Sequence, residues 1–205
     1  MDKLSFYSVI LINLVISVRY CTLTIRKKIN PSLAMWIFFT ISILGSLFSY
    51  LLEGDFGPLD NILNTSDIML CLSVTTVILI FGDSSSRFSR FDLFCLGAVL
   101  IILFYWFVSK AHFATHLSLQ LVQAIAYLPV FNRMWKSGKN SDSFLTWSLL
   151  LLVSVVSLFT AKGTLAYIYS IRATLCVTTL LLLMIRLEIK QNKLKRAGKS
   201  DPFAA

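Results

Sequence analysis

The sequence predicts an all-α membrane protein in which seven transmembrane helices form two parallel three-helix repeats joined by a linker helix, a 3+1+3 arrangement. Three observations predict it. The chain is 57% hydrophobic and only 14% charged, with mean hydropathy +0.77, too apolar for a soluble globule. A helical pattern occurs twice: Tyr20 and Arg26 reappear as Tyr127 and Arg133, and Ser32, Trp36, Ser46, Leu47 and Phe48 as Ser143, Trp147, Ser157, Leu158 and Phe159. Leu72, Val74, Thr75 and Thr76 likewise return as Leu175, Val177, Thr178 and Thr179. Finally, the basic residues crowd into alternate connections.

A span needs roughly 20 mainly apolar residues to cross about 30 Å of hydrocarbon with its backbone bonded within itself. Residues 4–25 supply the first. Its amino end carries only Lys3 and it has no small-residue cleavage site, so it reads as a retained span rather than a cleaved leader. After the basic turn Arg26, Lys27, Lys28, Asn30-Pro31 opens span 2 (33–52), with proline as a first-turn residue. Span 3 covers 62–81. Span 4 (91–108) has no counterpart in the repeat and sits where an extra helix must reverse the chain for the second copy to run parallel to the first. Spans 5 (117–135), 6 (144–161) and 7 (164–185) make that second copy. The chain thus divides into a first repeat (1–82), a loop and linker (83–110), a second repeat (111–187) and a basic tail (188–205), which is expected against anionic headgroups or in solvent.

With the amino end outside, the internal connections and tail hold Arg26, Lys27, Lys28, Arg87, Arg90, Arg133, Lys136, Lys139, Arg186, Lys190, Lys193, Lys195, Arg196 and Lys199. That is fourteen against three outside, Lys3, Lys110 and Lys162. The expected location is a cell (inner) membrane with the carboxyl end cytoplasmic. The net charge of +9 follows from this bias and calls for no nucleic-acid partner.

Polar residues inside the spans mark a candidate site. Asp67, Cys71 and Thr75 lie at i, i+4 and i+8 on span 3, and Ser170, Thr174 and Thr178 make the matching stripe on span 7. Facing each other, the stripes would line a polar central path; the alternative is that the hydroxyls bond their own i−4 carbonyls and let helices pack closely. Arg172 is expected roughly 12 Å below the outer boundary, where a lone arginine costs about 2.5 to 3.5 kcal/mol, so it needs an inward-facing partner. Asp67 is the acid at that depth. Their pair is either a structural latch or a receiver for an anionic or zwitterionic solute. Asn13 and Gln120 hold equivalent positions in the two copies, and with Gln123 they need partners from other helices or from a ligand. Arg19 has two open readings, snorkelling to the headgroups or a role in the cavity. Pro129 interrupts the hydrogen-bond ladder of span 5, leaving the Ile125 carbonyl unpaired, as a hinge or a static kink. Trp36 and Trp147 are interface anchors or gate residues, and the symmetric Tyr20 and Tyr127 could close the same end.

The stretch Ala126-Tyr127-Leu128-Pro129-Val130-Phe131-Asn132-Arg133-Met134-Trp135-Lys136-Ser137, followed by Ser143 and Trp147, resembles the PQ-loop signature of SWEET-type transporters. Val130 stands where that signature has glutamine, and Thr22 holds the proline position in the first copy, as in a divergent branch. The resemblance implies parallel three-helix repeats joined by one helix. It also implies a central pocket bordered by the third and second helices of each copy, with the two tryptophans as inner-gate or pocket-floor residues. The expected activity is transport of a small polar or anionic solute by alternating access. A non-transporting seven-helix receptor or sorting module on the same scaffold is the alternative.

Other chemistry is sparse. Cys21, Cys71, Cys95 and Cys176 lie inside spans without Cys-x-x-Cys spacing and read as small apolar residues. His112 and His116 share a helix face, but no third ligand is near in sequence, so neither a metal nor another cofactor is expected. No nucleophile elbow, phosphate loop or histidine cluster suggests an enzyme. The expected partners are the lipid bilayer and the solute; a homo-oligomer is left open.

Overall fold

The computed structural model describes residues 3–82, 90–109 and 112–196. Arg87, Lys110 and Lys199 of the charge argument lie outside them, as do the side chains of Lys3, Lys195, Arg196 and His112. All regular structure among the described residues is helical. The elements are α1 (Lys3–Ile25), α2 (Leu33–Glu53), a 3-10 turn (Pro58–Asn61), α3 (Ile62–Phe81), α4 (Arg90–Ser109), α5 (His112–Ile125), α6 (Leu128–Ser137), α7 (Phe144–Ser157) and α8 (Gly163–Arg196). Among the described residues, five helical stretches are long and apolar enough to cross a membrane: Leu4–Ile25, Leu33–Glu53, Pro58–Phe81, Phe113–Ser137, which joins α5 to α6, and Gly163–Leu194. α7 is apolar but 14 residues long. Leu4, Phe48, Ile80, Phe107 and Phe159 point outward with most of their surface uncovered, as lipid-facing side chains do.

Local chemistry sets the boundaries. Ser32 and Ser143, repeated in the sequence, are the N-caps of α2 and α7, accepting from Met35 N–H at 3.5 Å and Thr146 N–H at 3.4 Å. Such a cap is worth about 1 kcal/mol. Asn61 caps α3 through Asn64 N–H at 3.3 Å. α6 ends on Gly138 in the left-handed region (φ 64), whose N–H returns to Met134 O. The kink expected at Pro129 is a two-residue interruption at Ala126 and Tyr127, where Ala126 N–H still bonds Val122 O at 2.9 Å and Tyr127 keeps right-handed backbone angles (φ −76, ψ −23). α5 stops at Ile125, Tyr127 N–H bends to Ala124 O at 3.2 Å, and α6 starts afresh with Pro129 in its first turn. Two expected boundaries move. α7 tightens after Ser157 into i−3 bonds through Thr160, short of 161, and α8 continues unbroken through 196, so residues 188–196 extend a helix instead of forming a separate tail.

α1 and α2 both pack on α3, and α5 and α7 both pack on α8. Across these groups α1 meets α7 and α2 meets α5. Gly45 permits the latter approach: a Cβ there would sit 3.2 Å from Leu119 Cδ1. The turn after α1, the end of α3 and the α6–α7 connection share one end of the bundle, joined by Lys27 Nζ to Phe81 O and Asn30 N–H to Ser141 O. This is the basic end. At the opposite end Lys162 N–H bonds Asp60 O at 3.1 Å and its ammonium pairs with the Asp60 carboxylate.

Candidate functional site

A cavity lies where the helix groups meet. It leaves about 50 Å³ open to the centre of a water molecule, room for roughly three to five waters. Helical periodicity selects its walls: Trp36, Phe39 and Ile43 from α2; Leu63, Asp67, Leu70 and Cys71 from α3; Tyr169, Arg172, Ala173 and Val177 from α8. α7 adds Trp147, Leu150, Val153 and Ser154, and the α5 segment adds Gln123 and Tyr127. Aromatic contacts run along the wall towards the basic end, from Tyr20 to Trp36 (5.0 Å), Phe39 (6.0 Å), Tyr127 (5.0 Å) and Trp147 (6.0 Å).

Asp67 and Arg172 both face this cavity, but they form no direct ion pair, contrary to the sequence expectation. Asp67 accepts from Asn13 Nδ2 and from Tyr169 OH, each at 2.8 Å. Arg172 donates from Nε to Gln120 Oε1 at 3.2 Å and from Nη2 to Gln123 Oε1, and its guanidinium lies 4.8 Å from the Tyr169 ring centroid. Tyr169 therefore stands between the charges, its ring against the cation and its hydroxyl on the acid. Two amides and an aromatic face answer the guanidinium, so the acid is not required as its neutralising partner. Gln120 Nε2 also reaches Ser46 Oγ at 2.9 Å, so both glutamines are engaged, whereas Asn13 donates from Nδ2 to Ser66 and Asp67 but leaves its buried Oδ1 without a donor.

The facing polar stripes are corrected more strongly. Only Asp67 and Cys71 line the cavity. Thr75 is bonded to Thr40 Oγ1 (2.9 Å) and to Trp36 O (3.2 Å), which clips α3 to α2. On α8, Ser170 accepts from Ser157, the Thr174 hydroxyl lies within bonding distance of both Ser154 Oγ (3.1 Å) and Ser170 O (2.9 Å), and Thr178 turns back to Thr174 O. The Ser170 and Thr174 hydroxyls serve the α7–α8 contact, while that of Thr178 stays within its own helix. The face of α8 towards the cavity is the neighbouring stripe, Tyr169, Arg172 and Ala173. Tyr169 was missed in the sequence because a membrane tyrosine reads first as an interface residue.

Trp36 and Trp147 are 2% and 1% exposed, which excludes the interface-anchor reading. Trp36 Nε1 donates to Tyr20 OH at 3.3 Å, and Tyr20 OH donates to Asp142 Oδ2 at 2.8 Å. Asp142, also missed, lies in the connection before α7 and is held by Ser143 N–H at 2.8 Å. Burial pushes its carboxyl up from the usual carboxylate range; the bonds from Tyr20 and Ser143 and the charge of Arg133 pull the other way. Buried Nε and Nη2 of Arg133 and Nε1 of Trp147 have no acceptor there. Pro129 is buried at this end without touching the cavity. His116 is engaged with Ser49 Oγ and Leu165 O, and no three His, Cys, Asp or Glu side chains gather as a metal site among the described residues.

Compared with protein-family models, curated proteins and solved structures, the chain matches none.

Proposed function

We propose that this chain is an integral membrane transporter that moves a small polar solute, anionic or zwitterionic, by alternating access through the central cavity. The observation that carries the reading is the presence of a half-buried acid and a half-buried guanidinium, bridged by Tyr169, on one aromatic-lined cavity whose walls come from both halves of the chain. The packing pattern supports parallel repeats: exchanging α1, α2, α3 for the α5 segment, α7, α8 converts each contact within one group into a contact within the other. The same exchange maps α1 on α7 onto the α5 segment on α2, and it leaves α4 as the linker. Seven spans follow when α4 and α7 are counted and α5 with α6 is taken as one. Positive charge at the basic end supports an orientation with that end in the cytoplasm and the amino end outside. Closures at both ends are the parts that alternating access must open in turn. The PQ-loop signature around Pro129 agrees with this assignment. Arg172 would hold the anionic group of the solute, and coupling to protons would rest on Asp67.

Uptake by liposomes holding the purified chain, screened against amino acids, organic acids, sugars, vitamins and nucleosides, tests the proposal. One class should accumulate above empty vesicles; Arg172→Ala should reduce its uptake at least tenfold, the loss of about one charged hydrogen bond. Asp67→Asn should remove any dependence on a pH gradient. Saturable solute binding without flux would make the chain a receptor, and uptake unaffected by either substitution would place the site elsewhere.

A further inference from the structure

We propose that the groove along the outer face of α1 at the basic end binds one anionic phospholipid, its headgroup on Arg19, Arg26 and Lys28 and an acyl chain along Leu14, Val15 and Val18. The groove encloses about 670 Å³. Its apolar and basic residues fall on one helical stripe, with the apolar side chains towards the middle of the helix and the charges towards its end.

The cations are the unusual part. No hydrogen bond or ion pair reaches the side chains of Arg19, Arg26 or Lys28 from any described residue, and Arg19 Nε is sealed from solvent without an acceptor. Lys27, in the same turn, is used differently, capping α3 at Phe81 O. Among the described residues no acidic side chain lines the groove, and the Thr22 hydroxyl donates to Val18 O at 2.7 Å, so the side chains described there offer an incoming headgroup positive charge. Arg19 lies about 10 Å deeper than Arg26 at 1.5 Å per residue, a depth at which an unanswered guanidinium is costly. A phosphate drawn down between them supplies the missing anion. Below Arg19 the apolar side chains Val18, Val15 and Leu14 continue the stripe for about another turn and a half, roughly 6 to 8 Å, along the first part of an acyl chain. Apolar surface directly beneath the cations, with charge at one end only, fits a whole phospholipid and not free phosphate. The second basic groove, between α6 and α8, is less demanding, because Arg186 there stacks 5.4 Å from the Trp135 ring.

Native mass spectrometry of the full chain in detergent, titrated with phosphatidylglycerol or phosphatidylcholine, tests this. The chain should retain one phosphatidylglycerol in preference to phosphatidylcholine by roughly a hundredfold, about fivefold per cation. Arg19→Gln with Arg26→Gln and Lys28→Gln should abolish the preference, whereas Lys190→Gln with Lys193→Gln should keep it, and Arg19→Lys should keep most of it. Equal retention of the two lipids by the unaltered chain, a preference that survives the triple substitution, or equal thermal protection by inorganic phosphate alone would overturn the proposal. Should the triple variant not fold, the comparison of the two headgroups on the unaltered chain decides.

Discussion

The two ends of the bundle are closed by different chemistry. At the basic end the contact is buried: a tyrosine hydroxyl from α1 and a backbone N–H hold the Asp142 carboxylate, with Trp36 behind them. At the opposite end the contact is a surface ion pair, Lys162 with Asp60, whose side chains are 52% and 21% exposed. Tyr50 OH on Lys162 O at 3.0 Å and Phe56 stacked on Tyr50 at 4.9 Å back it up. A buried acceptor is expensive to remove because its donors are left unpaired, whereas an exposed ion pair contributes about 0 to 1 kcal/mol. The ends are therefore unequal barriers. The opposite end depends less on its charges than on backbone shape, since Gly163 holds φ +76 and a Cβ there would meet Phe56 at 2.9 Å.

The sharpest way to break this comparison is Asp142→Ala. It strips the acceptor from Tyr20 and Ser143 and should cost about 3 kcal/mol. The effect should be read both in thermal melting and in faster labelling of cavity-lining Cys71 by an impermeant maleimide, with Cys21, Cys95 and Cys176 replaced by alanine. An unchanged melt with Cys71 still protected would move the closure elsewhere. Gly163→Ala comes next, at about 1 to 2 kcal/mol for a left-handed alanine, and should expose Cys71 from the opposite face. Lys162→Gln should change stability by less than about 1 kcal/mol, and by less still in high salt. The pH dependence sharpens the same contrast. The folded Asp142 value is raised, so its protonated form adds stability below the ordinary value of about 4, and this is lost as pH rises through the folded value. The chain should lose stability over that rise, and Asp142→Asn, a fixed stand-in for the protonated acid, should show a flatter profile.

Much of the helical order was legible because hydrophobic length and basic turns are local signals. The expected spans fall on helical segments, the fifth divided between α5 and α6 and the sixth longer than α7, and the repeated serines prove to be caps. The candidate site was legible only in part. Asp67, Arg172, Gln123, Trp36, Trp147 and Tyr127 do meet at one cavity, since residues that are costly to bury in hydrocarbon must face inward. What periodicity could not supply was the rotation of α8, which turns Ser170 and Thr174 into α7, leaves the Thr178 hydroxyl on its own helix and brings in Tyr169 instead. A shift of one residue moves a helix face by about 100°, and only the packing of the neighbour decides it. Asp142 escaped notice for a related reason: a loop carboxylate reads as solvated until the chain folds over it.

The gap between α5 and α6 changes what bending costs. An unbroken helix must sacrifice backbone bonds before it can flex, but here Tyr127 already takes the shorter route to Ala124 and Pro129 has no N–H to lose. The ten residues of α6 form a pre-cut lever, with the cavity wall at Tyr127 as its fulcrum and Arg133 on the arm beside Asp142. Rotation about that fulcrum costs less backbone bonding than in an unbroken helix, so the resistance to movement at the basic end comes mainly from the side chains that α6 buries, Val130 and Met134.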